Sequence, residues 1–237
     1  MRIAVIRFPG SNCDLDTIEA LSKIPNVEPH LIWHEDNELH KYDAIILPGG
    51  FSYGDYLRAG IIAAHSPIMK QVKNLAEKGM PILGICNGFQ ILIEANLLPG
   101  ALLRNNSLKF ICKWVRVRVE TNRTPFTYTL NKGSFLRIPI AHNEGRYFIP
   151  KSELKDLYKY DQIVFRYVDE LGKPSNKANP NGSIDNIAGI CNREGNVVGM
   201  MPHPERASQS ILSPYYTEDG KKIFESLINY MRMVSLC

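Results

Sequence analysis

The sequence offers no disulfide framework. Its five cysteines, Cys13, Cys86, Cys112, Cys191 and Cys237, are odd in number, widely spaced and free of any CxxC pair. That pattern argues against a stapled secreted domain or a zinc ribbon and leaves reduced thiols as the default. No apolar stretch approaches the roughly 20 residues of a membrane-spanning helix. The run after Met1, Ile3-Ala4-Val5-Ile6, is too short for a signal-peptide core. A cytoplasmic protein without a membrane association is therefore expected. No GxxxxGK[ST] phosphate loop is present, consistent with any ATP chemistry lying elsewhere. Basic residues number 28 against 24 acidic, a net charge of +4, and no basic cluster is interleaved with stacking aromatics, so a nucleic-acid module is disfavoured. Neither internal repeats nor low-complexity segments occur.

The 237 residues are 44% hydrophobic, enough for a substantial core. Short Ile/Val-rich runs alternate with helical patterns in the front half. Strands are expected at Ile3–Phe8, Val27–His34, Ala44–Leu47 and Ile82–Ile85, and helices at Asp14–Ile24, Ser66–Lys78 and Gly88–Ala95. That order predicts a doubly wound parallel sheet flanked by helices. After Gly100 the texture changes. Val115, Val117 and Val119 alternate with Arg116 and Arg118, as in a half-exposed strand. Further strands are expected at Phe135–Ile140, Ile163–Val168, Ile187–Cys191 and Val197–Met201, with a last helix around Lys221–Met233. The fold class is α/β, with additional strands in the C-terminal half packed into one domain. Gly172–Ser183, rich in proline, asparagine and glycine, reads as a mobile surface segment.

Gly84-Ile85-Cys86-Asn87-Gly88 reads as strand, sharp turn, then helix, which would put Cys86 on a nucleophile elbow. There the thiol lies at a helix N-terminus, whose partial positive charge favours a thiolate. The plainer reading is a small buried cysteine in a βα turn. A nucleophile needs a base, and the base an orienting group. In Met201-Pro202-His203-Pro204-Glu205 alternate side chains of an extended chain share a face, so Glu205 can hold the ring of His203. The competing readings are a solvated proline-rich loop, or a metal pair lacking a third ligand at sensible spacing. Attack on a carbonyl also requires two fixed donors for the oxyanion. The amide of Asn87 is one, and the glycines after the buried strand, Gly49-Gly50-Phe51, offer the second.

Leu47-Pro48-Gly49-Gly50-Phe51, Gly84-Ile85-Cys86-Asn87-Gly88-Phe89-Gln90 and Pro202-His203-Pro204-Glu205 together resemble the class I (triad) glutamine amidotransferases. Three further stretches narrow the likeness: Phe8-Pro9-Gly10-Ser11-Asn12-Cys13-Asp14, Ser52-Tyr53-Gly54-Asp55 with its continuation to Gly60, and Asn179-Pro180-Asn181-Gly182-Ser183. With Met201 to Ala207 they are similar to the glutaminase subunits of phosphoribosylformylglycinamidine synthases. The resemblance spans nearly the whole chain. It implies a flavodoxin-like fold, residues 1–237 forming a single type 1 amidotransferase domain.

What the resemblance implies for the site is specific. Cys86 would be the nucleophile, His203 the base and acid, and Glu205 the orienter. Gly50 and Asn87 would supply the oxyanion hole, and Phe51, Gln90 and His142 would lie against bound glutamine. Ala141-His142-Asn143-Glu144-Gly145 resembles the family's Ala-His-Gly-Glu-Gly, with Asn143 in place of glycine. His142 is the rival base, although nothing in its spacing supplies an orienting carboxylate. No cofactor or metal is expected on this chain. Partners implied are a synthetase subunit carrying ATP and magnesium and a small third subunit. Lys113, Arg116 and Arg118 are either part of a docking face or an ordinary solvated strand face. Two other functions compete: a cysteine hydrolase of the same fold with another substrate, and a non-catalytic amidotransferase-like binding subunit.

Overall fold

Strands apolar at every position, rather than alternating, demand cover on both faces, and the fold is built around them. The computed structural model describes residues 1–36 and 38–235, so Cys237 lies outside the described residues. The front half runs β1 (Arg2–Arg7), α1 (Asp14–Ser22), β2 (Glu28–Trp33), β3 (Ala44–Leu47), α2 (Ile61–Ala64), α3 (Ile68–Glu77), β4 (Ile82–Ile85) and α4 (Asn87–Glu94). The back half continues with β5 (Ala101–Leu103), β6 (Ile111–Val119), β7 (Phe135–His142), β8 (Arg146–Phe148), α5 (Lys151–Lys159), β9 (Ile163–Tyr167), β10 (Ile187–Cys191), β11 (Val197–Met200) and α6 (Lys221–Val234).

Nine strands form one sheet in the order β2-β1-β3-β4-β11-β10-β9-β6-β7, while β5 and β8 pair separately. From β2 to β11 neighbours are parallel; from β11 to β7 they are antiparallel. The back half thus extends the front-half sheet. Every residue of β3, β4 and β11 is buried, as their unbroken apolar sequences require. At β6 Val115, Val117 and Val119 point inward and the arginines between them are half-buried. Helices present apolar stripes to this sheet: Ile68, Met69, Val72 and Ala76 on α3, and Ile223, Phe224, Leu227 and Ile228 on α6. Each Ile, Leu, Val, Met or Phe side chain among them contributes about 1.5–3 kcal/mol on burial.

Two expectations change in detail. Gly172–Ser183 carries no regular element, but its second half is not a surface loop, because Asn181 and Ser183 are 1% and 3% exposed. The arginines of β6 are engaged within the chain: Arg116 donates to the Glu170 carbonyl (2.6 Å), and Arg118 to Glu120 (2.7 Å) and the Gly172 carbonyl (2.9 Å).

The pairing that matters most for the site is β4 with β11. They run in parallel with Met200 opposite Ile85, so both strands end at the same edge of the sheet. In open α/β sheets that carboxyl edge is where sites form.

Candidate active site

Cys86 occupies the junction of β4 and α4 with φ 49° and ψ −103°, a backbone conformation L residues rarely adopt. The turn is held from both sides. The Cys86 amide donates to the Met200 carbonyl (2.8 Å), and the Cys86 carbonyl accepts from the Gln90 amide (3.1 Å). Gly88 makes the tight passage feasible, since a Cβ there would collide with the carbonyl oxygen of Leu47 on β3. Cys86 is 4% exposed, and its sulfur lies 3.7 Å from the Ala141 carbonyl at the end of β7.

The chain leaving β11 arrives beside this elbow. His203 is fixed by its amide, which donates to the Pro139 carbonyl of β7 (2.8 Å). Its Nδ1 lies 2.6 Å from Oε1 of Glu205, with both side chains almost wholly out of water. An extended chain is not what brings them together: His203 is extended, but Pro204–Ala207 form a short 3-10 turn that swings Glu205 back under the ring. Burial works to lower the imidazole pKa. The charges of Glu205 and Cys86, with the nearby sulfurs of Cys13 and Cys86, outweigh it and hold His203 well above its ordinary 6.5. His203 Nε2 is buried without a hydrogen-bond partner among the described residues.

His142 behaves oppositely. Burial, aided by the charge on His203, pushes its pKa down to about 3, so it stays neutral through the physiological range. Its Nδ1 lies 3.1 Å from Asn105 Oδ1, and no carboxylate among the described residues orients it. As a base it is poorly equipped.

The glycine loop after β3 faces the elbow. Gly50 has φ +150°, and a Cβ there would come within 2.6 Å of the Asn12 amide nitrogen. The amides of Asn12 and Cys13 donate to the Gly49 carbonyl (3.3 and 3.1 Å), and that of Phe51 to the Gly10 carbonyl (2.9 Å). The Ser52 amide donates to Asn87 Oδ1 (3.1 Å), tying this loop to the start of α4. The Phe51 ring sits at the surface, its centroid 6.2 Å from that of Phe110. Gln90 is engaged at both ends of its amide: Oε1 accepts from Asn87 Nδ2 (2.8 Å), and Nε2 donates to the Glu144 carbonyl (2.6 Å).

Sequence reasoning missed three groups. Asn105 donates to the His142 carbonyl (2.9 Å) and accepts from the Gly145 amide (3.2 Å), while Asn181 donates to the Gly145 carbonyl (2.7 Å). Together they clamp the loop after β7. Asn143 is not among the residues with positive φ, so replacing the family's glycine there calls for no left-handed backbone. The third is Cys13. One ligand atom each from Cys13, His203 and Glu205 lies within 4.8 Å of the others, so the third group the metal reading lacked does exist in space. A cation there is opposed, because Arg206 already places its guanidinium 3.0 Å from Cys13 Sγ and 3.8 Å from Glu205 Oε1.

A strained cysteine elbow at the end of β4, with a histidine–glutamate pair at the end of the neighbouring strand, is the arrangement of a cysteine nucleophile with an oriented base. The comparisons agree. Residues 1–231 match the CobB/CobQ-like glutamine amidotransferase domain. The phosphoribosylformylglycinamidine synthase subunit PurQ of Methanosarcina acetivorans is 52% identical over 98% of both chains, and that of Thermomicrobium roseum is 56% identical over 97% of this chain and 96% of its own. The solved structure of PurLQS from Thermotoga maritima contains a chain 49% identical, with a TM-score of 0.84 over 97% of this chain and 98% of that one. The chain belongs to the PurQ family, the glutamine amidotransferase subunits of phosphoribosylformylglycinamidine synthase in purine biosynthesis.

Proposed function

We propose that this chain hydrolyses glutamine to glutamate and ammonia through Cys86, His203 and Glu205. The sulfur of Cys86, its proton passed to Nε2 of His203, adds to the side-chain amide carbon of glutamine, and the amide N–H groups of Gly50 and Asn87 receive the oxyanion. His203 gives its Nε2 proton to the departing nitrogen, ammonia leaves, and a thioester remains. The same nitrogen then takes a proton from water, whose oxygen attacks the thioester and releases glutamate. Glu205 holds the ring in one tautomer and supports its positive charge. Phe51, Gln90 and His142 form the wall against which glutamine lies. The observation carrying this reading is the buried His203–Glu205 contact of 2.6 Å, delivered to the elbow by the β4–β11 register.

Ammonia then passes to a synthetase subunit, which uses ATP and magnesium to turn formylglycinamide ribonucleotide into formylglycinamidine ribonucleotide; a small third subunit completes the assembly. Full engagement of the Gln90 amide within the chain, and the low exposure of Cys86, support a site that becomes productive only when the synthetase docks. The continuous nine-stranded sheet supports reading residues 1–237 as one domain, and the setting is the cytoplasm. The test is glutamate release from glutamine, and glutamine-dependent amidation, by the chain assembled with its synthetase. Cys86→Ser should abolish both. Persistence of glutamate release in that variant would refute the nucleophile, and equal turnover with and without synthetase would refute the dependence on docking.

A further inference from the structure

The triad chemistry leaves two part-buried contacts unexplained. Cys13, just ahead of α1, is 1% exposed and accepts a hydrogen bond at 3.0 Å from Arg206, a residue 193 positions away. Arg206 Nε lies 3.8 Å from Glu205 Oε1, the same oxygen that meets His203. A Cβ placed on Gly49 would come 3.2 Å from Cys13 Sγ and 2.7 Å from His203 Cε1, so sulfur and ring press on the same glycine. The Cys13 main chain, meanwhile, donates to the carbonyl of that glycine at 3.1 Å.

We propose that Cys13 and Arg206 are positioning residues for the proposed glutaminase reaction. Cys13 holds the Gly49–Gly50 loop with its backbone and packs its sulfur beside the His203 ring against Gly49, and Arg206 holds Cys13 and Glu205 in register. One residue thereby links the oxyanion donor to the base, two parts of the site drawn from distant segments. A guanidinium suits the task because its planar fork can address a sulfur and a carboxylate at once without being deprotonated. The inference rests on the assignment of His203 as base.

The charged groups meeting His203 set the expected signs. They are Cys86 from the elbow, Cys13 and Asp16 from the α1 side, and Glu205 and Arg206 from its own turn, while the titratable His142 from β7 stays neutral. Toward α6 the turn meets Gly220 at the Pro204 carbonyl, and the next turn, Ser210–Leu212, carries no charge. Arg206→Gln removes a cation from beside Glu205, so the carboxylate grips the imidazolium proton harder and the His203 pKa rises. Cys13→Ala removes the electron-rich sulfur from beside the imidazolium, so the His203 pKa falls. A residue serving only to fill space would not move the two in opposite directions.

The experiment has two arms. In the first, His203 is titrated by NMR with isotope-labelled histidine in the Cys86→Ala chain, alone and with each second substitution; no substrate or partner is needed. In the second, kcat and KM for glutamine are measured on the chain assembled with its synthetase. Arg206→Gln and Cys13→Ala are expected to lower kcat about 10- to 100-fold, as a displaced base does, with KM within about twofold because neither residue touches substrate. Arg206→Lys and Cys13→Ser should restore folding and part of the rate, and they are read in place of any variant that fails to fold. Opposed shifts of the His203 titration with a selective loss of kcat carry the proposal. Shifts of the same sign, no shift, or an unchanged kcat overturn it. If the assembled wild-type chain releases no glutamate, the glutaminase reading fails while the titration arm still reports on the contact itself.

Discussion

Nδ1 of His203 and Oε1 of Glu205 meet at 2.6 Å where neither side chain reaches water, and the pair keeps the imidazole basic in a place that would otherwise strip its proton. Replacing Glu205 with glutamine keeps the shape and removes the charge. The ring then loses both its tautomer control and its support for positive charge, and kcat for glutamine hydrolysis should fall by about 10³- to 10⁴-fold. Stability gives an independent reading. Because the folded pKa of His203 lies above its ordinary 6.5, its contribution is full below that value and is lost as pH rises through the raised one. Thermal melts of wild type and Glu205→Gln should therefore differ most below pH 6.5 and converge in alkali. A gap that widens with pH would contradict the ion pair.

The elbow stores strain that can be released. Cys86 holds φ at 49°, where a Cβ is unwelcome and glycine is at home. Alanine keeps the Cβ and glycine deletes it, so Cys86→Gly should be more stable than Cys86→Ala by about 1 kcal/mol. For a domain of this size that is a difference in Tm of about 2–4 °C. Neither variant should release glutamate. The reverse order of melting temperatures would mean that the strain is not there.

The close approach beneath the elbow makes the opposite prediction. Gly88 lies against the backbone of Leu47, which is held in β3 between β1 and β4 and has nowhere to move. Gly88→Ala should cost about 3 kcal/mol or more, lowering Tm by about 6–12 °C or preventing soluble expression. A chain that melts like wild type would show that α4 can shift away from β3.

Much of this was legible in the sequence, for identifiable reasons. Ala44–Leu47, Ile82–Ile85 and Ile187–Cys191 coincide with their strands, since short apolar runs bounded by turn residues leave little choice of boundary. Helix α5 was invisible because Leu157 is its one buried residue, too narrow a stripe for periodicity to register. The three-residue strands β5 and β8 are shorter than any alternating pattern can mark. At the site, the elbow and the His203-x-Glu205 spacing are local and could be read directly. Cys13 could not, because its partner is 193 residues away and only the insertion of β11 beside β4 brings the two together. Asn105 and Asn181 were hidden for the same reason: an asparagine in a loop carries no sign of the backbone it will clamp.

Asp55 provides a test at the mouth of the site. It sits in the strained turn after the glycine loop with φ 56°, and burial, reinforced by the charge of Glu144, raises its pKa from 3.8 to about 6. Asn87 Nδ2, at 3.5 Å, is too distant to offset that cost. An acid whose folded pKa lies above its unfolded one stabilises the fold below the lower value, and that advantage is lost as pH climbs through the higher one. Wild type should therefore lose stability between pH 3.8 and about 6 on account of this group. Asparagine has nearly the same shape, tolerates positive φ at least as well, and carries no charge to bury. Asp55→Asn should match wild type in melts near the acid end of that window and exceed it above the upper end, modestly because the side chain is only half-buried. A difference that stays constant with pH, or favours wild type at neutrality, would show that the Asp55 carboxylate is solvated or paired in the native chain.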